Sequence, residues 1–207
     1  MNEKIKLKSK VFCCFGLRGT GKSTLVNSIA TKYGKKAFLY DTLNESPTQS
    51  TYYSYTPVKR NSVAELERIV QLITPGDNSS SRKLPYSMFI IDEANRFCPT
   101  KPHPLPPIIA DLNDQCRHYK LSVGFVARRP CQLNQDITEL ADYLFIFHLT
   151  GRRDIAYLND ISRDLGDAVS RLKGYNFVVV YPSREYQTVR AITPGQFWVE
   201  RAERLTR

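Results

Sequence analysis

No stretch of this 207-residue chain approaches the roughly 18 consecutive apolar residues that a membrane-spanning helix requires. The lysine-rich start, with Lys4, Lys6, Lys8 and Lys10, lacks the apolar region of a secretory signal, so an intracellular location is the default expectation. Histidine is scarce and scattered. The cysteines are few and odd in number, and Cys13, Cys14, Cys98, Cys116 and Cys131 include no CxxC pair and no zinc spacing. That argues against both a disulfide framework and a structural metal, and it reads the thiols as reduced. Cys13 and Cys14 lie inside an apolar run, where a free cysteine behaves as a small hydrophobe. No internal repeat and no clear linker divides the chain, so one compact domain over residues 1–207, with a sizeable core, is expected.

What is abundant is positive charge. Thirty Lys and Arg stand against 20 Asp and Glu, a net charge of +10, which favours polyanionic partners such as nucleic acid or anionic lipid over a merely solubilising excess. Hydrophobic content of 42% and charged content of 24% exclude a disordered or fibrous chain.

The apolar run Val11 to Phe15 breaks at Gly16, and Leu25, Val26, Ile29 and Ala30 then recur at helical spacing from Lys22 to Tyr33, with Gly34 ending the helix. Between strand and helix lies Gly16-Leu17-Arg18-Gly19-Thr20-Gly21-Lys22-Ser23, followed by Thr24. Backbone N–H groups of such a loop cradle phosphate oxygens only where side chains do not block the approach, which gives Gly16, Gly19 and Gly21 their purpose. Lys22 then reaches the β- and γ-phosphates, and the Ser23 hydroxyl suits Mg²⁺. The helix that begins there aims its positive dipole end at the anion. Residues 16–24 are thus the expected nucleotide-binding loop.

Ser87-Met88-Phe89-Ile90-Ile91-Asp92-Glu93 reads as a buried strand that delivers carboxylates beside that site. Asp92 is placed to hold the metal's hydration shell, and Glu93 to polarise an attacking water, the mark of a hydrolase. The competing reading is an acidic helix cap. A long stretch separates the loop from Asp92, with room for an extra strand and helix, as in the additional-strand class of ATPases. No NKxD-type guanine motif is present, so ATP is favoured over GTP.

Other strands are expected at Ala37 to Tyr40, Leu121 to Ala127 and Tyr143 to Leu149, with helices over Val63 to Ile73 and from about Ile108. The alternation predicts a mostly parallel sheet flanked by helices. Phe177 to Tyr181 and Gln187 to Ile192 predict a C-terminal antiparallel hairpin. Thr42 to Asn61 reads as a polar, tyrosine-rich excursion from the core, the Pro75 to Asn78 turn and following serines as flexible, and Pro99 to Pro107 as a stiff proline-rich loop.

The runs Ile91-Asp92-Glu93-Ala94-Asn95-Arg96-Phe97, Cys116-Arg117-His118-Tyr119, Val126-Ala127-Arg128-Arg129-Pro130 and Ala141-Asp142-Tyr143-Leu144-Phe145-Ile146-Phe147 together resemble the HerA/FtsK superfamily of DNA-pumping ATPases. The resemblance is to the small packaging ATPases of membrane-containing double-jelly-roll viruses in particular. It implies ATP and Mg²⁺ as ligands, hydrolysis coupled to sequence-independent translocation of double-stranded DNA, self-association into a ring that is usually hexameric, and a capsid or vertex protein as partner. It also implies a place in the host cytoplasm or at a packaging vertex. Arg117 matches the family's helix arginine, and Arg128 stands where a polar sensor, often Gln, is found, so Glu93, Lys22, Arg117 and Arg128 form the implied catalytic set, with Ser23 and Asp92 on the metal. Arg117, Arg152 and Arg153 are candidates for an arginine acting on a neighbour's site. Tyr52, Tyr53 and Tyr55 beside Lys59 and Arg60 offer base stacking, or else simply pack on the sheet. Rival readings are an assembly ATPase resembling the zonular occludens toxin family of filamentous phages and a nucleotide-dependent protein-binding switch.

Overall fold

The computed structural model describes residues 5–74 and 85–191. The expected flexible turn and serine run at 75–81, and Ile192 of the hairpin, lie outside the described residues. Among the described residues, eight strands form one sheet in the order β3-β2-β4-β5-β1-β6-β7-β8. They are β1 (Val11–Phe15), β2 (Ala37–Tyr40), β3 (Tyr53–Tyr55), β4 (Met88–Ile91), β5 (Ser122–Ala127), β6 (Tyr143–Phe147), β7 (Phe177–Val180) and β8 (Tyr186–Val189). Pairings from β3 through to β6 are parallel, and β6–β7 and β7–β8 are antiparallel. The helices are α1 (Lys22–Tyr33), α2 (Val63–Ile73), α3 (Pro107–Gln115), α4 (Gln135–Leu140), α5 (Arg152–Ile161) and α6 (Leu165–Ser170). This is a P-loop NTPase fold of the additional-strand class, with the expected antiparallel hairpin.

Strand β1 is buried on both faces, which is why its sequence is a continuous apolar run rather than an alternation. Val11, Cys13 and Phe15 point into a core shared with Leu66 and Val70 of α2, Ile109 and Leu112 of α3, Leu158 of α5 and Leu165 and Val169 of α6. Phe12 and Cys14 point the other way, against Leu25, Val26, Ile29 and Ala30 of α1. Each fully buried aromatic of this kind contributes about 1.5–3 kcal/mol. Gly124 of β5 makes room for Phe12, because a Cβ there would lie 2.3 Å from the Phe12 Cζ. Ser62 caps α2 by accepting from the Glu65 N–H, and the 11-residue helix lays Leu66, Val70 and Ile73 on the sheet.

The stretch between the loop and Asp92 supplies the expected extra strand and helix, as β2, β3 and α2; β2 and β3 lie on the far side of β4, while β5, which follows Asp92 in the chain, separates β1 from β4. One expectation is corrected: residues 42–61 are not wholly an excursion, since Tyr53–Tyr55 extend the sheet in parallel with Phe38–Tyr40. Tyr52 is buried and donates to Asn27 Oδ1 at 2.9 Å, and Tyr55 donates to Glu65 Oε1 at 2.7 Å. Those two tyrosines are packing residues. Tyr53 stays half exposed and meets Tyr86 edge to face.

Candidate active site

Parallel strands deliver the residues that follow them to one edge of the sheet. The register aligns Phe15 with Ala127 and Ile91 with Phe125, so the loop after β1, the acids after β4 and the arginines after β5 converge there. The loop turns tightly at Gly16, where a Cβ would come within 2.5 Å of Thr20 Oγ1 and 2.7 Å of Phe147 Cβ. Gly21 closes it in the left-handed region at φ 104° and is the N-cap of α1. Gly21 has no side chain with which to cap that helix and no acid sits in its first turn, so its leading N–H groups and positive dipole end face an anion site. Thr20 donates to the Leu17 carbonyl at 2.8 Å, and Lys22 Nζ folds back to donate to the same oxygen at 3.1 Å. A cavity of about 390 Å³ opens here, lined by Gly19, Gly21, Lys22, Ser23, Thr24, Phe147 and Tyr175. Leu17 and Arg18 form the exposed tip of the loop.

Beside it a second, small pocket brings Ser23, Asp41, Glu45 and Asp92 together. Burial pushes the Asp92 carboxyl up to about 7; the Glu93 N–H opposes this shift, and the charges of Glu93, Asp41 and Glu45 add to it. Asp41 accepts from the N–H groups of Glu45 and Ser46 at 3.0 and 2.8 Å, and the Glu45 carboxylate receives the Ser23 hydroxyl at 3.3 Å. A hydroxyl facing carboxylates, with Asp92 destabilised as an anion, fits a hard divalent cation. Among the described residues no group of three or more His, Cys, Asp or Glu side chains could hold a metal by itself. Magnesium suits such a site, since it takes one or two carboxylates and keeps waters and substrate phosphates for the rest. Asp41 and Glu45 were not anticipated; the signal was an acid directly after a buried strand, the same signal that exposed Asp92.

Glu93 adopts the left-handed conformation at φ 51° and opens a short 3-10 turn without capping it through its side chain, which removes the helix-cap reading. The carboxylate is buried and accepts from Arg128 Nε at 2.9 Å, with Arg96 Nε at 3.9 Å. Arg128 is therefore brought to the site, engaged with the acid rather than free. Its neighbour Arg129 instead pairs with buried Asp154 at 2.7 Å, fixing the start of α5. Arg152 and Arg153 are exposed on that same helix start, at the loop edge of the sheet.

Arg117 lies elsewhere. It donates to Asp142 Oδ1 at 2.8 Å, and Asp142 also takes Lys10 Nζ at 2.8 Å and the Val11 N–H at 3.0 Å. Val11 opens β1 and Asp142 precedes β6, so this cluster occupies the opposite edge of the sheet, about 15 Å along a five-residue strand from the loop. Within one chain Arg117 does not meet the other candidate residues.

No protein-family model matches the chain, and no curated protein matches it significantly. Solved structures do. The genome-packaging NTPase B204 from Sulfolobus turreted icosahedral virus 2 in complex with AMPPCP superposes with a TM-score of 0.74 at 19% identity, over 89% of this chain and 99% of that one. Its complex with ATP-gammaS gives 0.72 at 18% identity, over 89% and 98%. B204, the DNA-packaging ATPase from Sulfolobus turreted icosahedral virus, gives 0.73 at 16% identity, over 91% and 100%. At these identities the likeness is one of fold, and the resemblance to viral packaging ATPases read from the sequence holds at that level. The N-terminal domain of zonular occludens toxin from Neisseria meningitidis scores only 0.46 at 12% identity, over 95% and 91%.

Proposed function

We propose that this chain is a single-domain ATPase of the HerA/FtsK type that hydrolyses ATP to drive double-stranded DNA into a viral capsid. The observation that carries the proposal is the convergence, at one sheet edge, of a glycine loop whose helix has no side-chain cap at Gly21, the acidic pair Asp92-Glu93 and Arg128, on a fold that matches B204 over 89% of this chain.

In this reading the N–H groups of residues 16–24 and Lys22 hold the phosphates. Ser23 and Asp92 are the residues that would hold Mg²⁺, which would supply positive charge to offset that of the phosphates. Glu93 takes a proton from the attacking water as that oxygen bonds to the γ-phosphorus and the bond to the ADP oxygen breaks, giving ADP and phosphate. Arg128 holds Glu93 aside until a γ-phosphate offers its guanidinium a second acceptor. An arginine from a neighbouring subunit, drawn from Arg117, Arg152 or Arg153, completes the site, and such a group accelerates turnover by about 10³–10⁵. The basic surplus tracks DNA phosphates without reading sequence. Among the described residues no helix is long and apolar enough to cross a membrane, and a capsid or vertex protein in the host cytoplasm would be the docking partner.

The test is ATPase activity titrated against protein concentration, with and without duplex DNA, alongside Lys22→Ala. Activity that rises more than linearly with concentration, is stimulated by DNA at low salt and vanishes in the variant supports the motor. Slow, DNA-independent turnover would favour a nucleotide-dependent switch.

A further inference from the structure

The cavity at the loop has two kinds of lining. Gly19, Gly21, Lys22, Ser23 and Thr24 come from the loop and the start of α1; Phe147 and Tyr175 add aromatic rings from elsewhere in the chain. Phe147 is a core residue, buried and packed on Phe177 with ring centroids 5.1 Å apart. Tyr175 is different: 61% of its surface is exposed although its ring stands over the loop. A Cβ on Gly21 would lie 3.4 Å from the Tyr175 ring carbon Cδ1 and 3.2 Å from Phe147 Cε1, so both rings approach the glycine closely.

The turn that carries Tyr175 is fixed at both sides. Gly174 sits in the left-handed region at φ 59°, and the Asn176 N–H donates back to the Lys173 carbonyl at 3.3 Å. The Asn176 side chain in turn accepts the Ala191 N–H at 3.0 Å, tying the turn to the chain beyond β8. A large aromatic ring is thus held by a stiff turn while most of it faces water. Such exposure costs free energy and contributes little to the core, whereas a flat apolar face beside a phosphate cradle matches the anatomy of a nucleotide, anionic at one end and a planar ring at the other.

We propose that Tyr175 is the platform on which the base of the bound nucleotide stacks, with Phe147 backing the loop behind it; this rests on the nucleotide-binding reading of the loop. The polar side chains of the cavity, Lys22, Ser23 and Thr24, belong to the phosphate end, so recognition of the base is by stacking, which tolerates different bases.

Calorimetric titration of the full chain with ADP and with inorganic tripolyphosphate tests this, using wild type, Tyr175→Ala and Tyr175→Phe. Loss of one base–aromatic stack predicts that Tyr175→Ala weakens ADP by about tenfold. Tripolyphosphate binding should be unchanged, and Tyr175→Phe should hold ADP within about twofold of wild type. ADP bound by Tyr175→Ala as tightly as by wild type would overturn the platform. So would an equal loss for both ligands, which would make the turn a support of the loop. If wild type binds neither ligand in a Lys22-dependent way, the nucleotide reading itself fails, and the platform with it.

Discussion

The contact between Arg128 and Glu93 can be measured as a double-mutant cycle of Arg128→Met and Glu93→Gln. Two unit charges 2.9 Å apart attract by about 6 kcal/mol at an effective dielectric constant of roughly 20. Most of that is offset. The Glu93 side chain is only 9% exposed and has given up its hydration, while the Arg128 side chain is 47% exposed and screened by water. A charge-assisted hydrogen bond between one buried and one half-exposed partner should leave a net coupling of about 1–2 kcal/mol. Glutamine at 93 still accepts one hydrogen bond, so the cycle reports the ionic part, near the lower figure. Urea unfolding of the four proteins without nucleotide gives the coupling directly. A value below about 0.3 kcal/mol would refute the pair as an energetic unit.

The same four proteins test whether ATP competes for Arg128. If the guanidinium leaves Glu93 for a γ-phosphate, the coupling present in the free protein is lost in the complex. Linkage then makes the affinities for ATP-gammaS non-additive by about fivefold. With ADP, which offers no γ-phosphate, they should be additive. Identical cycles for the two nucleotides would eliminate the exchange while leaving the hydrolase reading intact.

Glu93→Gln should lower ATP turnover by about 10²–10⁴ while bound ATP persists, as read by rapid filtration; undiminished turnover would remove Glu93 as the base. Asp92 titrates near 7 when no metal is present, so the protonated form predominates at pH 6 and the anion at pH 8. Binding of the preformed Mg–ADP complex should therefore release close to one proton from the protein at pH 6 and very little at pH 8, measured by calorimetry in buffers of different ionisation heat, and Asp92→Asn should abolish the protein's share of that release. The raised value also means that stability of the metal-free protein falls as pH rises from the ordinary aspartate range through about 7, the direction opposite to that of a salt-bridged carboxylate. Gly124→Ala would place a methyl 2.3 Å from Phe12 Cζ and should cost about 1–3 kcal/mol in urea unfolding, with Phe12→Leu in the same chain recovering part of it.

The features legible in the sequence are those specified by a few consecutive residues. The glycine loop, the strand that ends in Asp92-Glu93 and the helix from Lys22 to Tyr33 depend on local geometry and burial, and each lies where its pattern placed it. The features that were not legible depend on which strand lies beside which. Tyr53–Tyr55 is too short and too exposed to carry a strand pattern; it is a strand because β2 offers it an edge. Asp41 and Glu45 matter only because β2 pairs with β4 in a register that sets Tyr40 beside Ile91. Arg117 lies between the runs that carry the other candidate residues in sequence order, yet the strand direction carries it to Asp142 at the far edge.

The placement of β5 has the widest consequence. A sheet with β4 directly beside β1 would set the acids against the glycine loop with nothing between. Inserting β5 between them sets Arg128, one residue past the end of that strand, within reach of Glu93 on one side while the loop lies on the other. A cation in that position has the acid on one side and the strand that leads into the loop on the other. If hydrolysis is gated by the arrival of a γ-phosphate, the gate needs no moving domain: one guanidinium exchanging one anionic partner for another is sufficient, and the strand order supplies the position from which it can do so.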